Sequence, residues 1–327
     1  MRRTTFEWLL LTQALLQLGC AGRASPPARL AGLCFMARDR AEVSRPVRPH
    51  EWLKLLVKLD LGSRAVVALR DCTGRLIAPQ ATGAHGCATT RANDIPEALA
   101  IGQQSLIERV ISGHERLLWI VSHRFPNGDG FGPLALARHV ADGIEVTALG
   151  NLRLRTQRVH LELWRVQHET VVVASGESCA HSHDVHDVHD AHDVRNARGC
   201  GRVLQLMVQR MNALLDAPLL DGAGRCVQAL PIELSHSRQE PLASGLRRSY
   251  ELNSAVSHDA RHIVLEERLL VLDTDPNLPA QAPREVQRIE AHRFVRIVGG
   301  RLVSQQHPLW NRVLAELSKP TEPTNAR

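Results

Sequence analysis

The hydrophobic and polar positions of this chain fall mostly into short alternating or continuous apolar runs. In 53–61 (LKLLVKLDL), Leu55, Val57, Leu59 and Leu61 alternate with Lys58 and Asp60, which predicts a half-buried strand. A second strand is predicted at 65–69, followed by a turn at Asp71-Cys72-Thr73-Gly74. The run 117–122 (LLWIVS) reads as a buried strand and 126–132 (PNGDGFG) as a turn; 134–137, 144–149, 158–166 (RVHLELWRV) and 170–174 (TVVVA) continue the extended pattern. The segment 201–215 fits either a helix, on Leu204, Met207, Met211 and Leu214, or a strand. Beyond it, 227–234, 263–272 and 286–298 read as extended, with Gly299-Gly300 as a two-residue hairpin turn. Two helices are expected. One starts at Asp94-Ile95-Pro96-Glu97, with capping-box and early-proline signals, and runs to Gly113 on Leu99, Leu106 and Val110, with a strand at 105–111 as the alternative; the other is a short terminal helix at 308–317. The predicted fold class is mainly β, an antiparallel β-sandwich or barrel-like body with a few short helices.

Composition narrows the classes without naming a function. With 327 residues, 44% hydrophobic and 23% charged, the chain can build one large or two medium globular domains. No apolar run reaches the roughly 18 residues of a spanning helix. The net charge is +6, and only Lys54, Lys58 and Lys319 among the 40 basic residues are lysine. The arginines are scattered among acids, and their local peaks at 153–158 and 284–296 alternate as exposed strand faces do. Zinc-finger spacing, a helix-turn-helix pattern and an aromatic stacking platform are all missing, so nucleic acid is not an expected partner. Neither a phosphate loop nor a dinucleotide fingerprint is present.

The first twenty residues, MRRTTFEWLLLTQALLQLGC, carry Arg2 and Arg3 ahead of the mostly apolar stretch 8–18 and end at Leu18-Gly19-Cys20. The segment resembles the export signal and lipobox of bacterial lipoproteins, with Gln17 in place of an aliphatic residue. That resemblance implies lipidation of Cys20, attachment to the inner or outer membrane, and a body facing the periplasm or the outside. An alternative is cleavage after Ala24, giving a soluble secreted protein. The organisation read from the sequence starts with 1–20 as a signal peptide and 21–50 as a tether and N-terminal extension. Next come a β-rich lobe at 51–179, a His/Asp-rich loop at 180–199, a second β-rich lobe at 200–317 and a disordered tail at 318–327.

Export removes Cys20 from the pool and leaves Cys34, Cys72, Cys87, Cys179, Cys200 and Cys226, an even count that predicts a disulfide-stapled body. Local closure suggests Cys72 with Cys87 and Cys179 with Cys200, leaving Cys34 with Cys226. There is no C-x-x-C pair to suggest zinc or redox chemistry.

The one repeat is HSHDVHDVHDAHD at 181–193, which sets His183, His186, His189 and His192 at a period of three, each followed by aspartate. Imidazole and carboxylate suit Zn²⁺, Ni²⁺ or Cu²⁺, and adventitious uptake lost on imidazole protonation is expected; no dedicated cofactor is implied. Gly176-Glu177-Ser178-Cys179-Ala180 is a partial nucleophile elbow, and it gives a serine hydrolase as the last-ranked alternative. Asn127-Gly128-Asp129-Gly130 is a fragment of a calcium loop, better read as a turn. His258, Asp259 and His262 form a possible chelate or a solvated strand end, and Asp273-Thr274-Asp275-Pro276 a turn. The motif D-x-x-G-R occurs at Asp71–Arg75 and again at Asp221–Arg225; two related domains would explain it, but two unrelated turns are the preferred reading, since Asp and Gly are turn chemistry. The expectation is a lipid-anchored envelope protein that binds an unknown envelope protein or ligand or serves a structural role. The alternative is a divalent-metal-binding protein acting through the His-Asp repeat.

Overall fold

The structure is a computed structural model describing residues 33–39, 45–61, 66–77, 87, 96–102, 105–179, 200–278 and 282–317. In chain order, β1 (Cys34–Ala37) precedes the helix α1 (Pro49–Leu56), and the hairpin β2 (Val57–Leu61) and β3 (Val66–Asp71) follows. Four short strands come next: β4 (Glu97–Ala98), β5 (Leu106–Val110), β6 (Glu115–Ile120) and β7 (His123–Arg124). The longer strands are β8 (Gly130–Val140), β9 (Gly143–Leu154), β10 (His160–Val166), β11 (Glu169–Cys179) and β12 (Cys200–Arg210), after which comes β13 (Ala213–Asp216). The last third holds β14 (Leu219–Leu220), β15 (Cys226–Gln228), β16 (Ile232–Glu233), β17 (Ser235–Pro241), β18 (Arg247–His258), β19 (Ile263–Thr274), β20 (Arg284–Val298), β21 (Arg301–Ser304) and the helix α2 (Leu309–Leu317).

One large sheet runs β10-β11-β12-β13-β9-β8-β6-β5, with β1 on β9, β16 on β12, and β7 and β4 beyond β8. A second runs β15-β14-β21-β20-β19-β18-β17. Nearly every pairing is antiparallel, as the alternation predicted, and neither sheet closes. The run 170–174 shows why it reads as continuously apolar. Val171 and Val173 face the core shared with the second sheet, where they meet Ile263, Val295 and Leu302. Val172 and Ala174 face a different core, where the two halves of the large sheet fold toward each other over Trp119, Leu136 and Leu152. A strand buried on both faces has no polar side to alternate with. The helix α1 covers the outer face of β6, β8 and β9 with Trp52, Leu55 and Leu56, and α2 covers β18 and β19 with Leu309 and Val313. The described residues form one compact unit. Within it β12, which follows the His/Asp segment, pairs along its length with β11, which precedes it.

Two predicted elements are corrected. The alternation of 53–61 begins inside a helix: α1 ends at Leu56 and only 57–61 is extended. Pro49 opens that helix, and Glu51 Oε2 accepts the Arg48 amide at 2.7 Å. Among the described residues of 94–113 the expected helix is absent, and the alternative of a strand within 105–111 holds. Glu97–Ala98 pairs with β7, and Leu106–Val110 pairs with β6.

The disulfides are also reconnected. Cys34 bonds Cys72 and Cys87 bonds Cys226, with Cα separations of 6.1 and 5.3 Å, in place of Cys72–Cys87 and Cys34–Cys226. The first ties β1 to the turn after β3, and the second ties position 87 to β15. The register of β11 and β12 places Cys179 directly opposite Cys200.

The D-x-x-G-R echo is turn chemistry. Asp71 and Asp221 each accept two backbone amides through Oδ1, from Thr73 and Arg75 at 2.9 and 3.0 Å and from Ala223 and Arg225 at 2.9 and 2.9 Å. Gly74 and Gly224 take the left-handed conformation that closes each loop, at φ 90° and 80°. The same backbone bonding recurs at Phe125–Asp129 and Leu242–Leu246, neither of which carries the motif.

Candidate functional site

The sequence candidates sort into three groups once placed. Cys20 and His183, His186, His189 and His192 lie outside the described residues. Among the described residues no group of three or more His, Cys, Asp or Glu is arranged to hold a metal ion. Asp259 caps the β18–β19 turn, accepting the amides of Arg261 and His262 at 2.6 Å each, and those bonds hold its carboxyl below the usual range. Asp273 makes a two-point ion pair with Arg248 at 2.7 and 2.9 Å, and Asp275 accepts the Asn277 amide. These are turn and surface roles.

The second group is a knot that joins two motifs separated in sequence. Ser178 Oγ donates to Asp129 Oδ2 at 3.0 Å, so the partial nucleophile elbow and the partial calcium loop meet. The same oxygen accepts Asn127 Nδ2 at 2.8 Å and lies 3.5 Å from Arg153 Nε. The Arg153 guanidinium in turn sits 3.4 Å above the Phe125 ring. Asp129 is 1% exposed and Ser178 7%. A nucleophile has to reach a substrate carbonyl; this hydroxyl is walled in and its proton is directed at a carboxylate that orders the turn. The knot is a structural clamp between β11 and the β7–β8 turn.

The third group had no sequence motif. The halves of the large sheet are joined through β13 and β9 by one parallel pair, Ala213 with Leu149, and the Leu149 amide bonds Asn212 O at 3.1 Å. Beyond that pair a side chain does the joining. Gln205 of β12 donates to Asn151 O at 3.4 Å and accepts the Arg153 amide at 3.4 Å, both on β9. Its amide also donates to Asp216 Oδ1 at 2.7 Å. Gly150 makes the seam possible, because a Cβ there would sit 2.7 Å from the Leu214 Cβ.

A cleft of about 490 Å³ opens at this seam, in the size range of small-ligand sites. Its apolar lining includes buried Leu149, Leu214 and Leu220, and Leu76 and Leu215, each 51% exposed. Arg75, Arg210 and Arg301 are its basic residues and Asp216 its acid. Arg210 lies against the hairpin turn, where a Cβ on Gly300 would overlap its guanidinium. Arg75 is 3.4 Å from Asp71 and Arg210 is 3.4 Å from Glu169, whereas Arg301 makes no ion pair among the described residues. Burial pushes the Asp216 carboxyl up to about 6, against the opposing pull of the Gln205 hydrogen bond. The arrangement is a basic mouth on an apolar cleft whose one acid among the described lining residues has its carboxyl raised by burial.

No protein-family model matches the chain, and no curated protein and no solved structure was found to be similar to it.

Proposed function

We propose that this is an exported, lipid-anchored protein of the bacterial cell envelope that works by binding a ligand. The observation that carries the binding reading is the seam cleft, which brings an apolar lining, three arginines and an under-compensated carboxyl together on a rigid sheet. Two disulfides joining segments 38 and 139 residues apart support export, because such bridges persist in oxidising compartments. The burial of Ser178 favours binding over hydrolysis. No helix of the described residues is long and apolar enough to cross a membrane; the lipobox-like Cys20 is the attachment point proposed here. Metabolic labelling with an alkynyl fatty acid, followed by membrane fractionation, tests the anchor. Cys20→Ser is expected to abolish the label and move the protein to the soluble fraction. Unchanged labelling and attachment would remove the lipoprotein reading.

A further inference from the structure

The cleft chemistry is specific enough to say what kind of molecule it suits. Its apolar side chains, Leu149, Leu214 and Leu215, would desolvate a hydrocarbon body, while Arg75, Arg210 and Arg301 present guanidinium groups at the same opening. Guanidinium forks pair with oxyanions in two-point fashion and keep their charge at any physiological pH. Asp71 and Glu169, outside the lining, engage Arg75 and Arg210 at 3.4 Å, and Arg301 has no ion pair among the described residues. Asp216 sets the charge limit. Ionised, it repels a dianion more than a monoanion; neutral, it is a hydroxyl donor to a carboxylate.

We propose that the seam cleft binds a small amphipathic monocarboxylate, its aliphatic body against Leu149, Leu214 and Leu215 and its headgroup among Arg75, Arg210 and Arg301. This rests on the binding reading above but not on the anchor, so a silent titration leaves Cys20 lipidation standing and an unlipidated chain leaves the cleft intact.

Calorimetric titration of the full chain with decanoate, decanol and inorganic phosphate tests it. Decanoate is expected to bind with a Kd below about 1 mM, decanol about tenfold or more weaker, and phosphate without measurable heat. Arg301→Gln, at an exposed position without an ion pair among the described residues, is expected to weaken decanoate several-fold at an unchanged melting temperature. Arg210→Gln combined with Arg301→Gln should weaken it by about tenfold or more. Equal affinity for decanoate and decanol, binding of phosphate as tight as decanoate, no decanoate binding, or unchanged affinity in folded Arg301→Gln would each overturn the proposal.

Discussion

Asp129 and Asp216 belong to the same sheet neighbourhood, yet the fold treats the two carboxylates in opposite ways. Asp129 is almost fully buried and directs one oxygen at the Asn127 amide, the Ser178 hydroxyl and the Arg153 guanidinium. Asp216 sits half-buried at the cleft with one amide donor, Gln205, and no ion pair among the described residues. Three donors on one Asp129 oxygen tie together the elements that supply them, although its buried Oδ1 has no hydrogen-bond partner among the described residues. A carboxylate left short of donors costs stability when it ionises, and groups kept in that state cluster where proteins bind or react. The difference separates the two sites more sharply than their exposure does: the motif-bearing site is a clamp, and the motif-free one has the unspent chemistry.

Substitutions can break or sharpen this contrast. The largest effect is expected at the clamp. Asp129→Ala removes the acceptor shared by the Asn127 amide, the Ser178 hydroxyl and the Arg153 guanidinium and should cost on the order of 3 kcal/mol in denaturant unfolding, with Ser178→Ala costing about 1 kcal/mol. A mild Asp129→Ala would remove the clamp from the comparison. Next is the pair of cysteines that continues the Ser178 strand. Facing each other across β11 and β12, Cys179 and Cys200 are expected to form a third bridge, and replacing both by serine should lower stability by about 3 kcal/mol. Thiol labelling of the unreduced, denatured protein checks it directly, since two reactive thiols at 179 and 200 would refute it.

The cleft should respond with the other sign. Because the Asp216 carboxyl is raised from 3.8 to about 6 in the folded state, its neutral form stabilises the protein. That stabilisation is complete below about pH 4 and is lost as pH rises through about 6, for a total of about 3 kcal/mol or less. Asp216→Asn should therefore raise the melting temperature at about pH 8 and leave it nearly unchanged below pH 4; a loss at about pH 8 would place Asp216 with Asp129. The smallest effect is expected from deleting 181–193, under about 0.5 kcal/mol of stability. Weak Zn²⁺ uptake should disappear with it, and calorimetry showing that uptake intact would move the metal site elsewhere.

The sequence made the β-rich body legible because most strands have one or two dry faces, as at 170–174 and 263–272. It misled at 53–61, where an eight-residue helix is too short to show its own period and the alternation carried over from β2. It was ambiguous at 94–113, where the helix start signals are worth little against the pairing that Leu106–Val110 gains with β6, the strand alternative at 105–111. The strand β18 left little trace, because Ser249 and Ser254 occupy buried positions that apolar residues usually mark. The clamp was half visible, as two separate fragments. The cleft was not, since Asn151, Gln205 and Asp216 are brought together only by strand order. One local signal did exist: Gly150 in the middle of a strand, where a missing side chain marks a close approach by another backbone.

The order in which the cysteines occur along the chain has a consequence for biogenesis. Cys34 can meet its partner Cys72 without any cysteine intervening, so an oxidase acting on an emerging chain makes that bridge correctly. Cys87 cannot, because Cys179 and Cys200 arrive before its partner Cys226. Under the proposed export, the protein depends on its β11–β12 hairpin closing early enough to withdraw those two thiols from competition, or on a thiol-exchange catalyst to undo the wrong pairing. Secretion yield in a host lacking disulfide isomerisation thus reports how quickly that one hairpin forms.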